Sequence, residues 1–207
     1  MKTITDILPQ KNNPTRCSVY LDNSFYCGLE LETVMRARLK KGMGIEEEEL
    51  DEIQLESERV RATDKALNFI SKSAKTERQV RDYLCQKGYT QKTVDEVISK
   101  MGGYGFIDDE NYADEYVKSL SGKKGKRLIF MELKKRGVSD DLASRAIDGA
   151  SPEKEADGAL ALARKYVKNK PIDRDLKLKC YKHLLSKGFD YDVAKDAVDK
   201  LSEDEDY

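Results

Sequence analysis

Two adjacent aspartates, Asp108 and Asp109, are the residues of this 207-residue chain whose types and spacing first suggest chemistry. They stand between an apolar pair and a run of tyrosines in the stretch "GFIDDENYADEYV". Paired carboxylates can hold a divalent cation or share a proton in acid–base catalysis. In a helix, however, neighbouring side chains project about 100° apart, so these two carboxylates would not converge on one ion. No His or Cys nearby completes a ligand set, and we predict no metal site.

The other candidates for catalysis are weaker. His183, the single histidine, aligns with Tyr83 and Glu132 in an internal repeat, so it is an exchangeable helix residue rather than a general base. The sequence has no G-x-S-x-G or H-E-x-x-H motif, and its "GGYGF" lacks the Lys-Ser/Thr of a phosphate-binding loop. We therefore predict that the chain is not an enzyme, has no catalytic residues and uses no cofactor.

The composition favours a helical protein with a large solvated surface. Hydrophobic residues make up 39% of the chain and charged residues 37%, and Trp is absent. The four cysteines form no C-x-x-C pair, which fits a reducing compartment. The sequence has no 18-residue apolar run, and its first residues lack the apolar core of a signal peptide. We expect a soluble, cytoplasmic protein without a membrane segment.

The beginning of the chain predicts a small sheet. "TRCSVYL" alternates, "DNS" turns and "FYCGL" returns, which predicts a hairpin to which "TITDIL" adds a third strand. A short helix that ends at Gly42 and an acidic helix over 46–60 follow. A two-residue turn would pair Cys27 with Ser18 and point Cys17 to the opposite face, so we expect no disulfide.

An internal repeat organises the chain after residue 61. Three segments align without a gap: "YLCQKGYTQKTVDEVISKM", "ELKKRGVSDDLASRAIDGA" and "HLLSKGFDYDVAKDAVDKL". Each has a Leu four residues before a Gly, a basic residue directly before that Gly, and an apolar residue after it. The pattern predicts a helix that ends in a glycine with positive φ, followed by a second amphipathic helix. The three glycines are Gly88, Gly137 and Gly188.

A leading helix before each of these segments makes every unit a bundle of three helices. The leading helices are predicted over 64–71, 109–119 and 152–168, the last with Ser151 as its N-cap. One such bundle buries little surface, so a tandem array is needed for stability. The predicted fold is mainly α, an elongated array of three three-helix repeats behind a small N-terminal segment that contains a β-hairpin. The predicted segments are 1–61, which contains the hairpin, then the repeats 62–104, 105–150 and 151–207, the last with an acidic tail.

The same map gives the aspartate pair a structural role. Asp108 and Asp109 fall at the start of the second leading helix, where "DDEN" supplies an N-cap oxygen and negative charge to the first turn. We predict that the pair begins a helix and does no chemistry.

A basic stretch of the second repeat, "SGKKGKRLIFMELKKRG", carries the clearest sign of a partner. If 124–136 is helical, Arg127 and Lys134 lie within about 20° of one another, as do Lys124 and Lys135, so these cations share an outer face. Such a face suits nucleic-acid phosphate or an acidic protein, and a merely solvated helix is the alternative. The candidate binding residues are Lys123, Lys124, Lys126, Arg127, Lys134, Lys135 and Arg136.

Four pieces occur in a fixed order over residues 62–201: "ALNFISKSAKTERQVRDYLCQKGY", "GFIDDENYADEYVKS", "GKRLIFMELKKRGVSDDLASRAI" and "LLSKGF". This ordered set resembles the RecX family, regulators of the RecA recombinase. The hairpin with "VYLDNSFYCGL" is similar to an extension that one branch of the family carries. Where many members have Trp in the second leading helix, this chain has Tyr116.

The resemblance implies a non-enzymatic protein that lies along the groove of a RecA filament on DNA and limits its growth or activity. Recombination, DNA repair and the SOS response are the processes it would regulate. The expected partner is the RecA filament, with single- or double-stranded DNA as a further candidate, and the chain is expected to be a monomer. The alternative is a nucleic-acid-binding helical module that acts on DNA directly.

Overall fold

The computed structural model describes residues 1–11 and 13–203, and the acidic tail beyond residue 203 lies outside the described residues. The described chain forms two compact units. The first contains Met1–Ala74 and Val80–Ile107, and the second contains Lys75–Gln79 and the chain from Asp108 onward.

The first unit begins with an antiparallel sheet of four strands, β1 (Lys2–Gln10), β2 (Asn13–Leu21), β3 (Ser24–Glu30) and β4 (Gly44–Ile45). Their order in the sheet is β3-β2-β1-β4. The predicted hairpin and its third strand are confirmed, while the two-residue β4 was not predicted. One face of the sheet buries an apolar cluster that includes Ile4, Val19 and Leu29, as the period of two in a strand requires.

The register of the hairpin differs from the predicted one. The turn residues at 22–23 both have positive φ, as a tight hairpin turn requires. A bulge after Val19 shifts the pairing by one residue, so Cys27 lies opposite Val19 rather than Ser18. Cys17 and Cys27 are therefore both buried in the core, and the prediction that they point to opposite faces is wrong. Both are free thiols.

The first helix is shorter than predicted. The sequence favours a helix that reaches Gly42, but α1 (Leu31–Arg36) stops one and a half turns earlier. Arg38 has a φ of 52°, and the Leu39 N–H donates to the Val34 carbonyl at 3.1 Å. This is the bond of a Schellman cap, in which the flanking apolar residues also pack together. Leu39 and Val34 are both buried in the core of the sheet, and this burial ends the helix.

One continuous helix, α2 (Glu47–Ile70), takes the place of the two helices predicted over 46–60 and 64–71. The intervening residues "RAT" contain neither Gly nor Pro, so nothing in the backbone ends the helix there. Ala62 and Ala66 are fully buried in the core of the first repeat. The predicted boundary at residue 61 consequently falls inside a helix.

Three three-helix repeats follow, as predicted. Their helices are α3 (Glu77–Gln86), α4 (Gln91–Gly103), α5 (Asp109–Leu120), α6 (Lys126–Arg136), α7 (Asp140–Asp148), α8 (Pro152–Val167), α9 (Arg174–Ser186) and α10 (Tyr191–Glu203). The first repeat consists of the C-terminal half of α2 with α3 and α4, the second of α5 to α7, and the third of α8 to α10. Each repeat has its own apolar cluster.

The same glycine cap ends the middle helix of every repeat, which confirms the predicted motif. Gly88, Gly137 and Gly188 have φ values of 85°, 95° and 86°. In each case the next residue donates its N–H to the carbonyl of the buried Leu five residues earlier, at 3.1 to 3.3 Å. The donor and acceptor pairs are Tyr89 and Leu84, Val138 and Leu133, and Phe189 and Leu184.

In the second unit, glycines also allow the start of α6 to pack directly against the end of α9. The Gly125 N–H donates to the Lys187 carbonyl at 3.0 Å, and the Arg127 N–H donates to the Gly188 carbonyl at 3.1 Å. A Cβ atom on Gly125 or on Gly188 would overlap the opposite segment. This close contact fixes the position of the basic helix α6 on the third repeat.

Candidate partner-binding surface

The aspartate pair caps two helices. Asp108 is the N-cap of α5 and accepts the Asn111 N–H at 2.9 Å, as predicted. Asp109 accepts the Glu77 N–H at 2.8 Å, a second role that the sequence does not indicate. Burial raises the pKa of Asp109 above its ordinary value, although the hydrogen bond from Glu77 opposes the shift. Within residues 1–11 and 13–203, no cluster of three or more His, Cys, Asp or Glu side chains is placed to hold a metal ion.

The candidate basic residues lie on and beside α6. This helix begins after Gly125 and ends at Gly137, and it buries Ile129 and Leu133 in the core of the second repeat. The remaining positions of α6 are free to contact other segments or solvent. By burial the seven candidates divide into three half-buried cations that are held by contacts within the chain and four exposed ones.

Lys124 belongs to the first group, and the prediction that it shares an outer face with Lys135 is wrong. Lys124 precedes α6, and its ammonium lies 2.5 Å from Oε1 of Glu132. The other carboxylate oxygen of Glu132 accepts the hydroxyl of Tyr116 at 2.7 Å. Burial alone would raise the pKa of Glu132, but the hydrogen bonds from Lys124 and Tyr116 outweigh it and lower that pKa. Lys124 therefore stabilises the contact between α5 and α6.

Lys126 and Arg136 are also engaged within the chain. The Lys126 ammonium lies 3.3 Å from Oε2 of the buried Glu155, which lies on α8. The Arg136 guanidinium lies over the Tyr116 ring, 4.8 Å from its centroid, and donates to the Tyr112 hydroxyl at 3.1 Å. Breaking the Lys126 pair would leave a carboxylate buried without its cation, which is costly. These two cations are held by the fold.

The other four candidates, Lys123, Arg127, Lys134 and Lys135, are exposed. Arg127 and Lys134 lie seven residues apart on α6 and so on one side of it. Lys134 pairs with Asp140 at 2.9 Å, but an exposed pair of this kind contributes little free energy and exchanges readily. In the part of the chain that the structure describes, Lys135 forms no ion pair.

A groove of about 670 Å³ runs beside α6, and of the four exposed cations Arg127 lines it, together with apolar side chains and with Asp148 and Asp190. Its apolar side chains come from the three helices that surround it, α6, α7 and α9. Met131, which lines it from α6, is 64% exposed. An apolar centre with a charged rim is the usual composition of a protein–protein interface. We refer to Arg127, Phe130, Met131, Lys134 and Lys135 as the α6 surface.

A second basic stretch, residues 164–187, escaped the sequence-based prediction. It contains nine cations and only two acids, so the charge count that singled out the second repeat would also have found it. The cations are Arg164, Lys165, Lys168, Lys170, Arg174, Lys177, Lys179, Lys182 and Lys187, and the acids are Asp173 and Asp175. Asp173 is occupied as the N-cap of α9, where it accepts the Leu176 N–H at 2.7 Å.

A pair of stacked rings lies at the centre of this stretch. The rings of Tyr166 and His183 are 4.8 Å apart between centroids and inclined by 24°. The Lys170 ammonium lies 4.6 Å from the Tyr166 centroid, and Lys179 and Lys187 lie one helical turn before and after His183. Burial lowers the pKa of His183, and the charge of Lys187 lowers it further. We refer to these five residues as the third-repeat basic surface.

The position of His183 in the repeat agrees with the prediction that it is exchangeable. Its counterpart Tyr83 stacks on Phe69, with centroids 4.3 Å apart, and its counterpart Glu132 accepts a hydrogen bond from Tyr116. In each repeat this position therefore contacts an aromatic residue of the leading helix. The partner is retained while the side chain changes.

Family models match most of the chain. The model described as the regulatory protein RecX N-terminal domain matches residues 2–46, and those for the first, second and third three-helix domains of RecX match 62–101, 108–147 and 153–198. None of the helices over the described ranges is long and apolar enough to cross a bilayer.

Individual relatives match over nearly the whole chain. The regulatory protein RecX of Clostridium perfringens (strain 13 / Type A) is 34% identical over 209 residues, which cover 99% of each chain. The regulatory protein RecX of Bacillus subtilis (strain 168) is 29% identical, and the match covers 100% of this chain and 80% of the B. subtilis protein. A crystal structure of regulatory protein RecX has a TM-score of 0.71 at 26% identity, covering 96% of this chain and 100% of the other. A crystal structure of RecX from Lactobacillus salivarius has a TM-score of 0.65 at 27% identity, and the match covers 70% of this chain and 96% of the other.

Proposed function

We infer the function of this chain from its family, because the chain belongs to the RecX family of regulatory proteins. We propose that it binds the RecA recombinase filament on DNA and inhibits the filament's growth or activity. Through this contact it regulates homologous recombination, DNA repair and the SOS response. It acts in the cytoplasm as a monomer and without catalysis. Its domains are an N-terminal segment, 1–61, and three repeats, 62–104, 105–150 and 151–207.

The observation that carries this proposal is the mixed character of the α6 surface. Met131 is an exposed apolar side chain beside a groove, and Arg127 and Lys135 flank it. A purely electrostatic surface would suit naked DNA, whose affinity comes mainly from its phosphates. An apolar centre instead supports a protein partner, because burying Met131 contributes free energy that salt does not screen.

The test is filament assembly on single-stranded DNA, followed with and without this protein at sub-stoichiometric amounts. An inhibitor that binds filaments slows their growth even when it is outnumbered by recombinase subunits. Repeating the assay with Arg127→Glu and Lys135→Glu together, which changes two exposed side chains, should relieve the inhibition while the melting temperature stays unchanged. Assembly that proceeds at the same rate with and without the wild-type chain would refute the proposal.

The alternative, a nucleic-acid-binding module that acts on DNA directly, predicts a different pattern. Such a module would hold naked single-stranded DNA about as well as the filament, and its affinity for both would fall steeply with salt. A filament regulator should bind the filament more tightly than bare DNA and keep part of that affinity at moderate salt.

A further inference from the structure

We propose that the third-repeat basic surface binds single-stranded nucleic acid through backbone phosphates and one stacked base. This assigns a second ligand to a second surface, and it goes beyond the proposed function because it does not require the recombinase. The residues involved are Tyr166, Lys170, Lys179, His183 and Lys187, on α8, the loop that follows it, and α9.

Charge complementarity is the first argument. Residues 164–187 carry nine cations and two acids, and one of these acids already caps α9. Among the residues that the structure describes, Lys179 and Lys187 form no ion pair, and both are exposed. Their positions on α9 are eight residues apart, so they lie about 12 Å apart along the helix axis. Two unpaired cations at this separation favour an extended polyanion over a single small anion.

The ring pair is the second argument. Aromatic rings beside cations are the elements that hold single strands without sequence preference, since every base has a face that stacks. His183 uses one face of its imidazole on Tyr166, and Lys187 lies one turn away. A base stacked on the other face would put its own phosphates beside Lys179 and Lys187.

The stacked rings, rather than the type of cation, separate nucleic acid from an acidic polypeptide. Lys pairs with a carboxylate or with a phosphate as a point charge, whereas an aromatic ring adds affinity only for a ligand that can stack on it, as a base does. The three cations of this surface are all Lys, and they surround rings that a peptide carboxylate does not need. We therefore assign the surface to a nucleic-acid strand.

The two functional surfaces adjoin where α9 ends against α6. The Gly125 N–H donates to the Lys187 carbonyl, and Arg127 follows two residues later on α6. A chain that contacts a protein filament through the α6 surface thus presents the third-repeat basic surface beside it. Two weak contacts joined in this way raise the overall affinity without any new interaction.

The test measures binding of a labelled oligothymidylate, without recombinase, over a series of salt concentrations. The variant Lys179→Gln with Lys187→Gln removes two phosphate contacts, so the slope of log K against log salt should shrink by about 1.4. The control, Arg174→Gln with Lys195→Gln, makes the same charge change in the same repeat. Arg174 lies half a turn away from His183 around α9, and Lys195 lies on the exposed side of α10. The control slope should equal that of the wild type.

Three results would overturn the assignment. Equal loss of slope in the two variants would mean that only the net charge of the chain matters. Equal binding of oligothymidylate and an abasic strand of the same length would exclude the ring pair, since the stacked base should contribute about fivefold or more. Polyglutamate that binds as tightly as the oligonucleotide would identify an acidic polypeptide as the ligand. None of these measurements contains the recombinase, so they are independent of the filament assay.

Discussion

The basic stretch around α6 and the one around α9 have a similar excess of Lys and Arg, yet the fold uses them differently. Around α6, Lys124 and Lys126 are paired with Glu132 and Glu155, and Arg136 lies against two tyrosines. Around α9, Lys179 and Lys187 form no ion pair in the described ranges. The first stretch keeps a few exposed cations beside an apolar groove, and the second presents cations beside stacked rings.

This difference shows why a count of cations does not by itself identify a ligand. Acids elsewhere in the chain neutralise some cations, and the acid that pairs with Lys126 lies 29 residues away. What remains exposed after this pairing determines the partner that a surface suits. We infer a protein partner for the α6 surface and a nucleic-acid partner for the third-repeat basic surface.

Among the substitutions that distinguish the two surfaces, Met131→Asp is expected to have the largest effect. Burying a carboxylate at the centre of the α6 surface should weaken filament binding by about 30-fold or more, the range of an interface hot spot. Binding of oligothymidylate should not weaken beyond the small effect of one added negative charge. Quantitative pull-down on preassembled filaments would measure the first affinity and fluorescence anisotropy the second.

Met35→Asp is the control for this prediction. Met35 is 70% exposed and belongs to the first unit, so the substitution introduces the same charge on an exposed methionine that is not part of the α6 surface. It should leave filament binding unchanged. If Met35→Asp weakened the filament complex as much as Met131→Asp, the α6 surface would lose its special role.

A second prediction separates cations that hold the fold from cations that face a partner. Lys124→Met should destabilise the chain by about 1 to 2 kcal/mol, because Glu132 would keep its charge without its ammonium partner. Lys135→Met should change the free energy of unfolding by less than about 0.5 kcal/mol. Urea unfolding followed by circular dichroism compares the two directly, and equal destabilisation would break the distinction.

A third, smaller effect concerns pH at the third-repeat basic surface. The pKa of His183 is lowered by burial and by Lys187, so the imidazole is neutral at pH 7.5. A bound phosphate favours the imidazolium, which means that binding takes up a proton and strengthens as the pH falls below 6.5.

Oligothymidylate affinity should consequently rise by less than about tenfold between pH 7.5 and pH 5.5. His183→Gln should show a flatter profile over the same range. A steep rise in both proteins would assign the effect to other groups and remove His183 from the surface.

The smallest effect is expected at the aspartate pair, whose side-chain oxygens accept backbone hydrogen bonds at the starts of two helices. The raised pKa of Asp109 means that folding favours its protonated form, so this contribution is present below pH 3.8 and is lost as pH rises through the folded pKa. Asp109→Asn retains an oxygen that accepts the Glu77 N–H. The variant should therefore be slightly more stable at pH 7, and the difference should vanish below pH 3.8.

The same variant also tests whether a divalent cation binds at Asp109. Addition of Mg²⁺ or Ca²⁺ should leave the melting temperature of both proteins unchanged. A rise in the wild type that Asp109→Asn abolishes would indicate a metal site instead of a helix cap.

The parts of the fold that follow local rules could be predicted from the sequence. The glycine caps at Gly88, Gly137 and Gly188 depend on positive φ and one nearby Leu, and all of this information lies within six residues. The N-caps of α5 and α8 are equally local, since Asp108 and Ser151 serve the first turns that follow them. Repetition of one local pattern three times was enough to predict the repeats.

The errors arose where contacts distant in sequence override local preference. The early end of α1 depends on burial of Leu39 beneath a sheet, and the hairpin register depends on a bulge after Val19. At the candidate site, the angular positions of Arg127 and Lys134 could be calculated from helix geometry. The pairing of Lys126 could not, because Glu155 belongs to another repeat.

The measurement that tests the account most directly compares the affinity of the wild-type chain for the recombinase filament and for bare single-stranded DNA across one salt series. We predict tighter binding to the filament at every salt concentration, with affinity retained at moderate salt where binding to bare DNA is largely lost. Equal affinities that fall in parallel with salt would contradict the account, since the chain would then bind only the nucleic acid.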